Sequence, residues 1–300
     1  MRNSEVRFER LAALLLAIFS LFSIEAFAQE KSETDRFDGF DAYVEEVMAE
    51  LHVPGLAVAV VKGDQIVYAK GYGFADVDGK RRVTPKTLFA IGSSSKAFTA
   101  TCLGILVDRE KLDWDTPVRE YLSAFRMHDE YATQHLTPRD LVSHRSGLPR
   151  HDLLWYGSSI KREELFEKLR YLEPNKSFRE SFEYQNLMFM TAGYLAGHLY
   201  GAPWERMVRE EIMQPLGMER SVFSVDEMQK DDDHALPYRW DEDEDSLEKM
   251  DFRDIVEIGP AGSINSCAEE MAAWVKLQLA EGTVGDDRIV QEGTMRQLHT

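Results

Sequence analysis

Cysteine is scarce in this sequence, with only Cys102 and Cys267 among 300 residues. Two thiols cannot form the several cross-links of a disulfide-stapled scaffold. The fold must therefore be stabilised mainly by a hydrophobic core, and a hydrophobic content of 44% is enough for one. The sequence leaves open whether the two thiols pair.

Basic residues are in deficit: 35 lysines and arginines stand against 53 aspartates and glutamates, which gives a formal net charge of −18. A surface of this charge repels nucleic acid phosphates and anionic membranes, so nucleic acid is excluded as a partner. The densest acidic stretch, Asp231 to Asp245, has the composition of a solvated loop. It lacks the spacing of an EF-hand calcium loop.

Metal-binding motifs are also lacking, because the sequence has no H-E-x-x-H pattern and no Cys–His zinc spacing. We expect no metal and no cofactor.

A hydrophobic run long enough to span a membrane is missing from the N terminus. The apolar run Leu11 to Ile24 is shorter than the roughly 20 residues that a spanning helix needs. It follows a polar segment with three arginines and precedes Ala26-Phe27-Ala28, which together are typical of a secretory signal peptide. We predict a signal peptide over residues 1–28, a polar spacer over 29–37, and export to the periplasm or the extracellular space. The alternative is an uncleaved anchor, and N-terminal sequencing distinguishes the two.

The first part of the chain after the spacer predicts one helix and a hairpin. Phe40 to Leu51 has apolar residues at helical spacing, and Pro54-Gly55 ends that helix. Leu56 to Val61 is a continuous apolar run, Lys62 to Gln65 is a turn, and Ile66 to Tyr72 is again rich in β-formers. Because the first strand is apolar throughout, we expect it to be buried on both faces, with helices covering the sheet.

Helical periodicity dominates from Ser93 onward. We therefore predict an α/β (α+β) fold in which an antiparallel sheet is flanked by helices and a large helical subdomain follows, as one domain over residues 38–300. The predicted helical segments lie near residues 94–109, 137–144, 161–170, 187–200, 203–214 and 267–281.

A serine three residues before a lysine is the first candidate for chemistry. At the start of a helix the two side chains are neighbours, and a partly desolvated lysine amine can activate the hydroxyl as a nucleophile. The pattern occurs three times, beginning at Ser93, Ser158 and Ser246. Only Ser93 follows an apolar segment and opens a predicted helix, with Gly92 permitting a tight entry. The structural alternative is that Ser93 is simply an N-cap.

Tyr184 and Asn186 form a second candidate group, in the loop before a strongly apolar helix. A phenol near a lysine ammonium is a plausible proton relay. The Asn186 amide offers a donor and an acceptor to a substrate amide. The structural alternative is a surface turn with a stacked tyrosine and an asparagine cap.

These two segments resemble motifs of the serine β-lactamase and penicillin-binding-protein family. Phe89 to Thr99 resembles the S-x-x-K nucleophile motif of class C β-lactamases, D,D-carboxypeptidases and related esterases, and Tyr184 to Asn186 resembles their Y-x-N motif. Five further segments match in the family's order: Val53-Pro54-Gly55, Gly71-Tyr72-Gly73, Leu141 to Leu148, Pro215 to Met218, and Gly259 to Ser263.

The resemblance implies a β-lactamase/transpeptidase-like fold and a serine hydrolase. Ser93 would attack a carbonyl, Lys96 and Tyr184 would share the general base and acid roles, and Asn186 would orient the substrate. The backbone N–H of Ser93 would be one oxyanion-hole donor. The substrate would be a small molecule or a peptide, namely a β-lactam, a D-amino-acid peptide or a small ester, and the oligomeric state stays undetermined.

The sequence departs from the family in its third motif. Neither K-T-G nor H-x-G occurs, and the second oxyanion donor and the C-terminal strands that would pair with the hairpin are missing with it. We therefore expect these residues to be the front part of a longer chain, which reading the gene beyond codon 300 would test. Ser263 also stands where the family often has a second glycine, so its backbone path is expected to differ.

Two alternatives to the catalytic reading remain at this point. The first is a non-catalytic relative that keeps the fold as a binding or scaffolding module; the intact Ser93, Lys96, Tyr184 and Asn186 argue against it, and the absent third motif argues for it. The second is a Ser–His triad using His144. The resemblance makes the loop around His144 a structural support instead.

Overall fold

The computed structural model describes residues 36–300. The predicted signal peptide and most of the spacer lie outside the described residues. The chain divides into two compact units between Val47 and Met48, and the site described below belongs to the second unit. Within residues 36–300, no helix is both long enough and apolar enough to cross a membrane.

The described chain begins with a helix and a β-hairpin, and a long series of helices with short strands between them follows. The strands are β1 (Gly55–Lys62), β2 (Gln65–Asp76), β3 (Arg81–Arg82), β4 (Phe89–Ala90), β5 (Tyr238–Asp241), β6 (Ser246–Lys249), β7 (Asn265–Ser266), β8 (Thr283–Val284) and β9 (Asp287–Arg288). The helices are α1 (Phe40–Glu50), α2 (Ser95–Asp108), α3 (Val118–Tyr121), α4 (Glu130–His135), α5 (Pro138–Val142), α6 (Arg162–Lys168), α7 (Asn186–Tyr200), α8 (Trp204–Val208), α9 (Val225–Met228), α10 (Gly259–Gly262), α11 (Ala268–Leu279) and α12 (Glu292–Leu298).

The predicted hairpin is confirmed. Strands β1 and β2 pair antiparallel, with Gly55 opposite Gly73 and Lys62 opposite Gln65, and β3 extends the sheet beside β2. Gly63 has φ +61° in the connecting turn, a conformation that glycine adopts without strain. The prediction that β1 is buried on both faces is wrong: its residues are half-buried among the described part of the chain. The apolar run thus correctly predicted a strand, but the strand is less buried than its sequence indicated.

The predicted helical block is also confirmed, and its centre is the pair α2 and α7. Both helices are buried on most faces, and the short helix α10 packs against each of them. Phe98 of α2 stacks on Trp274 of α11 with ring centroids 3.9 Å apart. Burial of this apolar surface supplies the main stabilisation, at roughly 25 cal/mol per Å². It also fixes where α2 and α7 begin, which is where the candidate residues lie.

Both cysteines are buried and free. Cys102 is on α2 and lies in the main hydrophobic core, whereas Cys267 belongs to a smaller cluster with Leu88 and Met228. The question that the sequence left open is therefore answered for this structure: the two thiols do not pair.

The interpretation of Asp231 to Asp245 as a solvated loop is wrong in part. The Asp231 carboxylate binds the Arg220 guanidinium at 2.7 Å, and Asp233 accepts hydrogen bonds from the hydroxyls of Thr84 and Thr87. The later part forms strand β5, which pairs with β6 in a hairpin. The prediction of a solvated loop was based on composition, and composition does not show which groups each carboxylate contacts in the folded protein.

Candidate active site

Ser93 lies at the sharp connection between strand β4 and helix α2. Gly92 has φ +52° there, and a single 3₁₀ turn, Gly92–Ser94, leads into the helix. The Ser95 hydroxyl holds this turn, because it donates to the Gly92 carbonyl at 2.8 Å and accepts from the Ile264 N–H at 3.1 Å. Ser93 itself is exposed. The connection therefore presents the Ser93 hydroxyl to solvent on a fixed backbone.

Lys96 lies one helical turn further along, and its ammonium is surrounded by acceptors. Its Nζ donates to Ser93 Oγ at 3.1 Å, to Asn186 Oδ1 at 2.9 Å and to the Ala261 carbonyl at 2.6 Å. Its residue exposure is 8%. Burial lowers the pKa of Lys96, an effect that the hydrogen bond to Tyr184 partly opposes. Desolvation therefore destabilises the ammonium, while the surrounding oxygen acceptors stabilise it.

Tyr184 faces Ser93 from the other side. Its Oη lies 2.7 Å from Ser93 Oγ, and Lys96 Nζ is 4.9 Å from the centre of its ring. Partial burial acts to raise the pKa of Tyr184, but hydrogen bonds from Lys96 and Ser93 and the charge of Lys96 outweigh it, and the pKa is lowered. The Ser93 hydroxyl therefore lies between a cationic donor and a phenol of enhanced acidity.

Asn186 is the first residue of α7 rather than a loop residue as the sequence predicted. Gln185 is the N-cap: its side-chain Oε1 accepts the Leu187 N–H at 2.8 Å, and its Nε2 donates to the Pro149 carbonyl at 2.6 Å. A buried N-cap of this kind fixes the first turn of the helix. The cap therefore holds the Asn186 side chain over Lys96.

The short helix α10, which contains Ala261, is held against both central helices. The Thr99 hydroxyl of α2 donates to the Pro260 carbonyl at 2.7 Å. A Cβ at Gly193 of α7 would lie 2.2 Å from Pro260 Cγ, so only glycine permits this approach. Ser263 has φ −91°, an ordinary conformation, and the serine at this position does not strain the backbone. The Ala261 carbonyl thus reaches Lys96 from a rigid segment.

The other two serine–lysine patterns lack this arrangement. Ser158 accepts the Ile160 N–H in a loop, and Lys161 binds Glu257 at 2.7 Å. Ser246 and Lys249 lie at opposite ends of strand β6, where residues three apart point to opposite faces. The prediction that context separates Ser93 from the other two is confirmed.

His144 supports the Tyr184 loop. Its Nδ1 accepts the Gln185 backbone N–H at 3.1 Å, so the ring proton of the neutral form is on Nε2, and its carbonyl accepts the Glu183 N–H at 2.7 Å. Its ring centroid lies 4.5 Å from that of Tyr184. Burial, together with the charge of Lys96, lowers the pKa of His144 to about 4. The triad alternative is not supported, because the hydroxyl of Ser93 contacts Lys96 and Tyr184 instead.

This depressed pKa gives a prediction for stability. An unfolded histidine titrates near pH 6.5, so between about pH 6.5 and about pH 4 the unfolded chain binds more protons at His144 than the native protein. The free energy of unfolding should therefore fall by up to about 3 kcal/mol from this residue as the pH is lowered through that window. In His144→Gln, whose amide oxygen can accept the Gln185 N–H, the fall should be smaller. Denaturant unfolding of both proteins across the window measures the difference, and parallel pH dependences would contradict it.

A buried carboxylate organises the segment that follows His144. Asp140 is fully buried; it caps α5 through Thr137 and accepts from Arg145 Nε at 2.6 Å and from an Arg179 guanidinium nitrogen at 2.6 Å. These partners lower the pKa of Asp140, although burial acts in the opposite direction. The two arginine side chains are 38% and 43% exposed, so solvent screens their attraction to the buried carboxylate. This network links the segment around Arg145, next to His144, to the segment around Arg179, which precedes Tyr184.

Two charged residues that the sequence analysis did not single out also belong to the site. Asp152 Oδ1 accepts from Asn186 Nδ2 at 3.1 Å, and Asp152 Oδ2 accepts from Arg150 Nε at 2.6 Å. The Arg150 guanidinium carbon lies 4.9 Å from the centre of the Tyr184 ring. No periodicity or motif indicated these residues, because the site residues that they contact, Asn186 and Tyr184, lie more than thirty positions away in the chain.

An apolar cavity of about 490 Å³ opens beside the nucleophile. Gly92 and Gly262 contribute to its wall, and each is next in sequence to a residue of the site. Much of the remaining lining is apolar, including Phe89, Trp155, Met228, Leu236, Met250 and Phe252. A second cavity, of about 430 Å³, shares Trp155 with the first and carries Lys161, Asp254 and Glu257.

This fold and the constellation of Ser93, Lys96, Tyr184 and Asn186 define the class of serine β-lactamase-like proteins. The family model described as Beta-lactamase matches residues 40–300, and the chain belongs to that family.

The relatives of this chain have names that describe several different activities. The chain is 33% identical over 245 residues to an unguisins hydrolase of Aspergillus campestris, covering 78% of this chain and 46% of that protein. Its fold matches the penicillin-binding protein homologue from Pyrococcus abyssi with a TM-score of 0.76 and 28% identity, over 87% of this chain and 59% of that one. It matches a class C β-lactamase from Rhodobacter sphaeroides with a TM-score of 0.68 and 25% identity, over 85% and 68%. The chain spans about half the length of the curated relatives it matches.

Proposed function

We propose that the protein is a serine hydrolase that forms an acyl-enzyme on Ser93 and cleaves an amide or an ester. The observation that carries this proposal is the position of Ser93 Oγ, 3.1 Å from Lys96 Nζ and 2.7 Å from Tyr184 Oη. A hydroxyl between a cationic donor and a potential base is the arrangement that nucleophilic catalysis requires. An N-cap role for Ser93 is not favoured, since no side-chain capping bond begins this helix.

The hydrogen bonds suggest the direction of the first proton transfer. Three oxygens, those of Ser93, Asn186 and Ala261, lie within 3.1 Å of Lys96 Nζ, and an ammonium can donate one N–H to each of them. The remaining partner of the Ser93 hydroxyl is Tyr184 Oη. We therefore assign Tyr184, in its deprotonated form, as the first base and Lys96 as the cation that stabilises it.

The proposed reaction then proceeds through a covalent intermediate. As Ser93 Oγ forms its bond to the substrate carbonyl carbon, its proton moves to Tyr184 Oη, and the backbone N–H of Ser93 donates to the developing oxyanion. Tyr184 returns the proton to the leaving nitrogen or oxygen as its bond to the carbonyl carbon breaks. Water then attacks the acyl group by the same route and releases Ser93.

Asn186 keeps the capacity to bind substrate. Its Oδ1 is occupied by Lys96, and its Nδ2 donates one N–H to Asp152. An amide nitrogen carries two N–H bonds, so the second remains for a substrate carbonyl. We propose that Asn186 orients the substrate with this bond while it holds Lys96 with its oxygen.

The candidate substrates are β-lactams, D-amino-acid peptides and small esters. The similarity to a class C β-lactamase supports cleavage of amides, and the similarity to a hydrolase of unguisins supports hydrolysis in general. The apolar cavity beside Gly92 favours substrates that carry an apolar group near the scissile carbonyl.

Intact-mass measurement after incubation with a panel of acylating substrates tests the proposal. The panel contains nitrocefin, a D-alanyl peptide, and p-nitrophenyl esters with short and long acyl chains. A mass increase equal to the acyl group, mapped to Ser93, is the expected result for at least one of them. A protein that binds these compounds but is acylated by none would be a scaffolding relative, and the hydrolase proposal would fail.

A further inference from the structure

Arg150 and Asp152 form an ion pair at the edge of the acylation site, with Arg150 Nε 2.6 Å from Asp152 Oδ2. The Arg150 side chain is 59% exposed and that of Asp152 is 29% exposed. An ion pair this accessible contributes at most about 1 kcal/mol to stability. Its position next to Asn186 and Tyr184 therefore calls for an explanation other than stabilisation of the fold.

Asp152 determines which way the Asn186 amide faces. The two ends of an amide side chain have opposite hydrogen-bonding character, and a carboxylate accepts but cannot donate. Because Asp152 Oδ1 accepts from Nδ2, the amide oxygen is turned toward Lys96 Nζ, 2.9 Å away. The reverse orientation would put the amide nitrogen against the ammonium and the amide oxygen against the carboxylate, so both contacts would be repulsive.

Arg150 places a second positive charge beside the phenol. Its guanidinium carbon lies 4.9 Å from the Tyr184 ring centre. A cation there favours the phenolate over the neutral phenol and disfavours a charged Lys96, and Arg150 contributes to the lowered pKa of both groups. Asp152 has the opposite influence on Lys96 and acts to raise its pKa.

The backbone between the two residues is held in a strained form. His151 has φ +49°, in the left-handed region that costs a non-glycine residue roughly 1 kcal/mol. Asp152 then begins a 3₁₀ turn, in which its carbonyl accepts the Trp155 N–H. This reversal at His151 brings Arg150 to Tyr184 and Asp152 to Asn186 from positions two apart in sequence.

We propose that Arg150 and Asp152 are positioning residues of the acylation site: Asp152 orients the Asn186 amide toward Lys96, and Arg150, anchored by Asp152, sets the charge around Tyr184. This inference rests on the proposed function. Neither residue forms a bond to the reacting atoms in the proposed reaction. They act by presenting Asn186 and Tyr184 in one orientation and one charge state.

The two variants Asp152→Asn and Arg150→Gln separate the two roles. In Asp152→Asn one of the two carboxylate oxygens is replaced by an NH2 group, which would face Asn186 Nδ2 or Arg150 Nε donor to donor, so one of the two links is lost. We expect each variant to slow acylation by about tenfold to a hundredfold, chiefly in kcat, because a misplaced group costs that much in rate. Arg150→Lys, which keeps the charge, should recover part of the loss.

The pH profiles give the sharper readout. The groups facing Lys96 are Ser93, Tyr184, Asn186 and the Ala261 carbonyl, with Arg150, Asp152 and His144 as the further charged or titratable neighbours. The acid limb of kcat/KM reports the pKa of the base in the free enzyme. Loss of the Arg150 charge should move this limb to higher pH, because Arg150 acts to lower the pKa of Tyr184. Asp152 acts to raise the pKa of Lys96, so loss of the Asp152 charge should move the alkaline limb, where Lys96 loses its charge, to lower pH.

Asp115→Asn is the matched control, because Asp115 and Arg139 form an arginine–aspartate pair at 2.8 Å elsewhere on the surface. We expect it to leave the rate and the pH profile unchanged. If wild-type Ser93 is acylated but Asp152→Asn and Arg150→Gln behave like Asp115→Asn, the positioning inference is overturned while the hydrolase proposal stands. An acid limb that stays in place in Arg150→Gln, or an alkaline limb that moves to higher pH in Asp152→Asn, would overturn it as well. If the wild-type protein is never acylated, the hydrolase proposal itself fails, together with the inference that rests on it.

Discussion

Replacement of Ser93 by alanine is expected to abolish acylation, with a loss of at least about 10⁴-fold in the rate of hydrolysis of any substrate that the wild-type protein cleaves. In the proposed reaction the Oγ atom of Ser93 forms the covalent bond, and the Ser95 hydroxyl is instead bound to Gly92 and Ile264. The remaining rate would come from oxyanion stabilisation and binding alone.

A fluorophosphonate probe and a penicillin probe, read by intact mass, measure this effect. The matched control is Ser246→Ala, which removes the serine of a second S-x-x-K pattern from strand β6 and should leave labelling intact. Thermal unfolding of Ser93→Ala should match that of the wild-type protein, because Ser93 is exposed. Labelling that persists in Ser93→Ala with wild-type yield would refute the assignment of the nucleophile.

The Tyr184→Phe variant is expected to have the second largest effect, a loss of about 10²–10⁴-fold in the rate of acylation. The substitution removes the oxygen 2.7 Å from Ser93 Oγ and leaves the ring contacts with His144 and Arg150 in place. Because the pKa of Tyr184 is lowered, kcat/KM of the wild-type protein should rise with pH as the phenol ionises, and this rise should disappear in the variant.

Rapid-mixing measurement of the acylation burst across a pH series tests this prediction. Tyr171→Phe is the control, since Tyr171 is 72% exposed, and it should behave as the wild-type protein. If Tyr184→Phe keeps wild-type acylation rates and the same acid limb, the first proton must go to another group, and Lys96 would be the base.

Local pattern was sufficient for the hairpin and for the central helices. Strands β1 and β2 are rich in apolar residues, and a turn that contains a glycine connects them. Helices α2 and α7 have apolar side chains around much of their circumference. These signals depend on residues close in sequence, so the hydrophobic effect and backbone preferences determine them before the fold is complete. The burial of β1 was overstated because an apolar run does not report what covers it.

The candidate site divides in the same way. Ser93 and Lys96 are three residues apart at a helix start, so the sequence by itself determined that they meet. Tyr184 and Asn186 were identified as one group from their motif, but their meeting with Ser93 depends on the packing of α7 against α2.

Only the tertiary structure decided which other groups complete the site. The Ala261 carbonyl, Arg150 and Asp152 reach Lys96, Tyr184 and Asn186 across intervals of more than thirty residues. The positions of such groups depend on a glycine contact at Pro260 and a left-handed residue at His151, which have no local signature. The sequence thus determined that Ser93 and Lys96 are neighbours. The charges and hydrogen bonds around them arise from long-range packing, because only the folded chain brings those atoms within a few ångströms of one another.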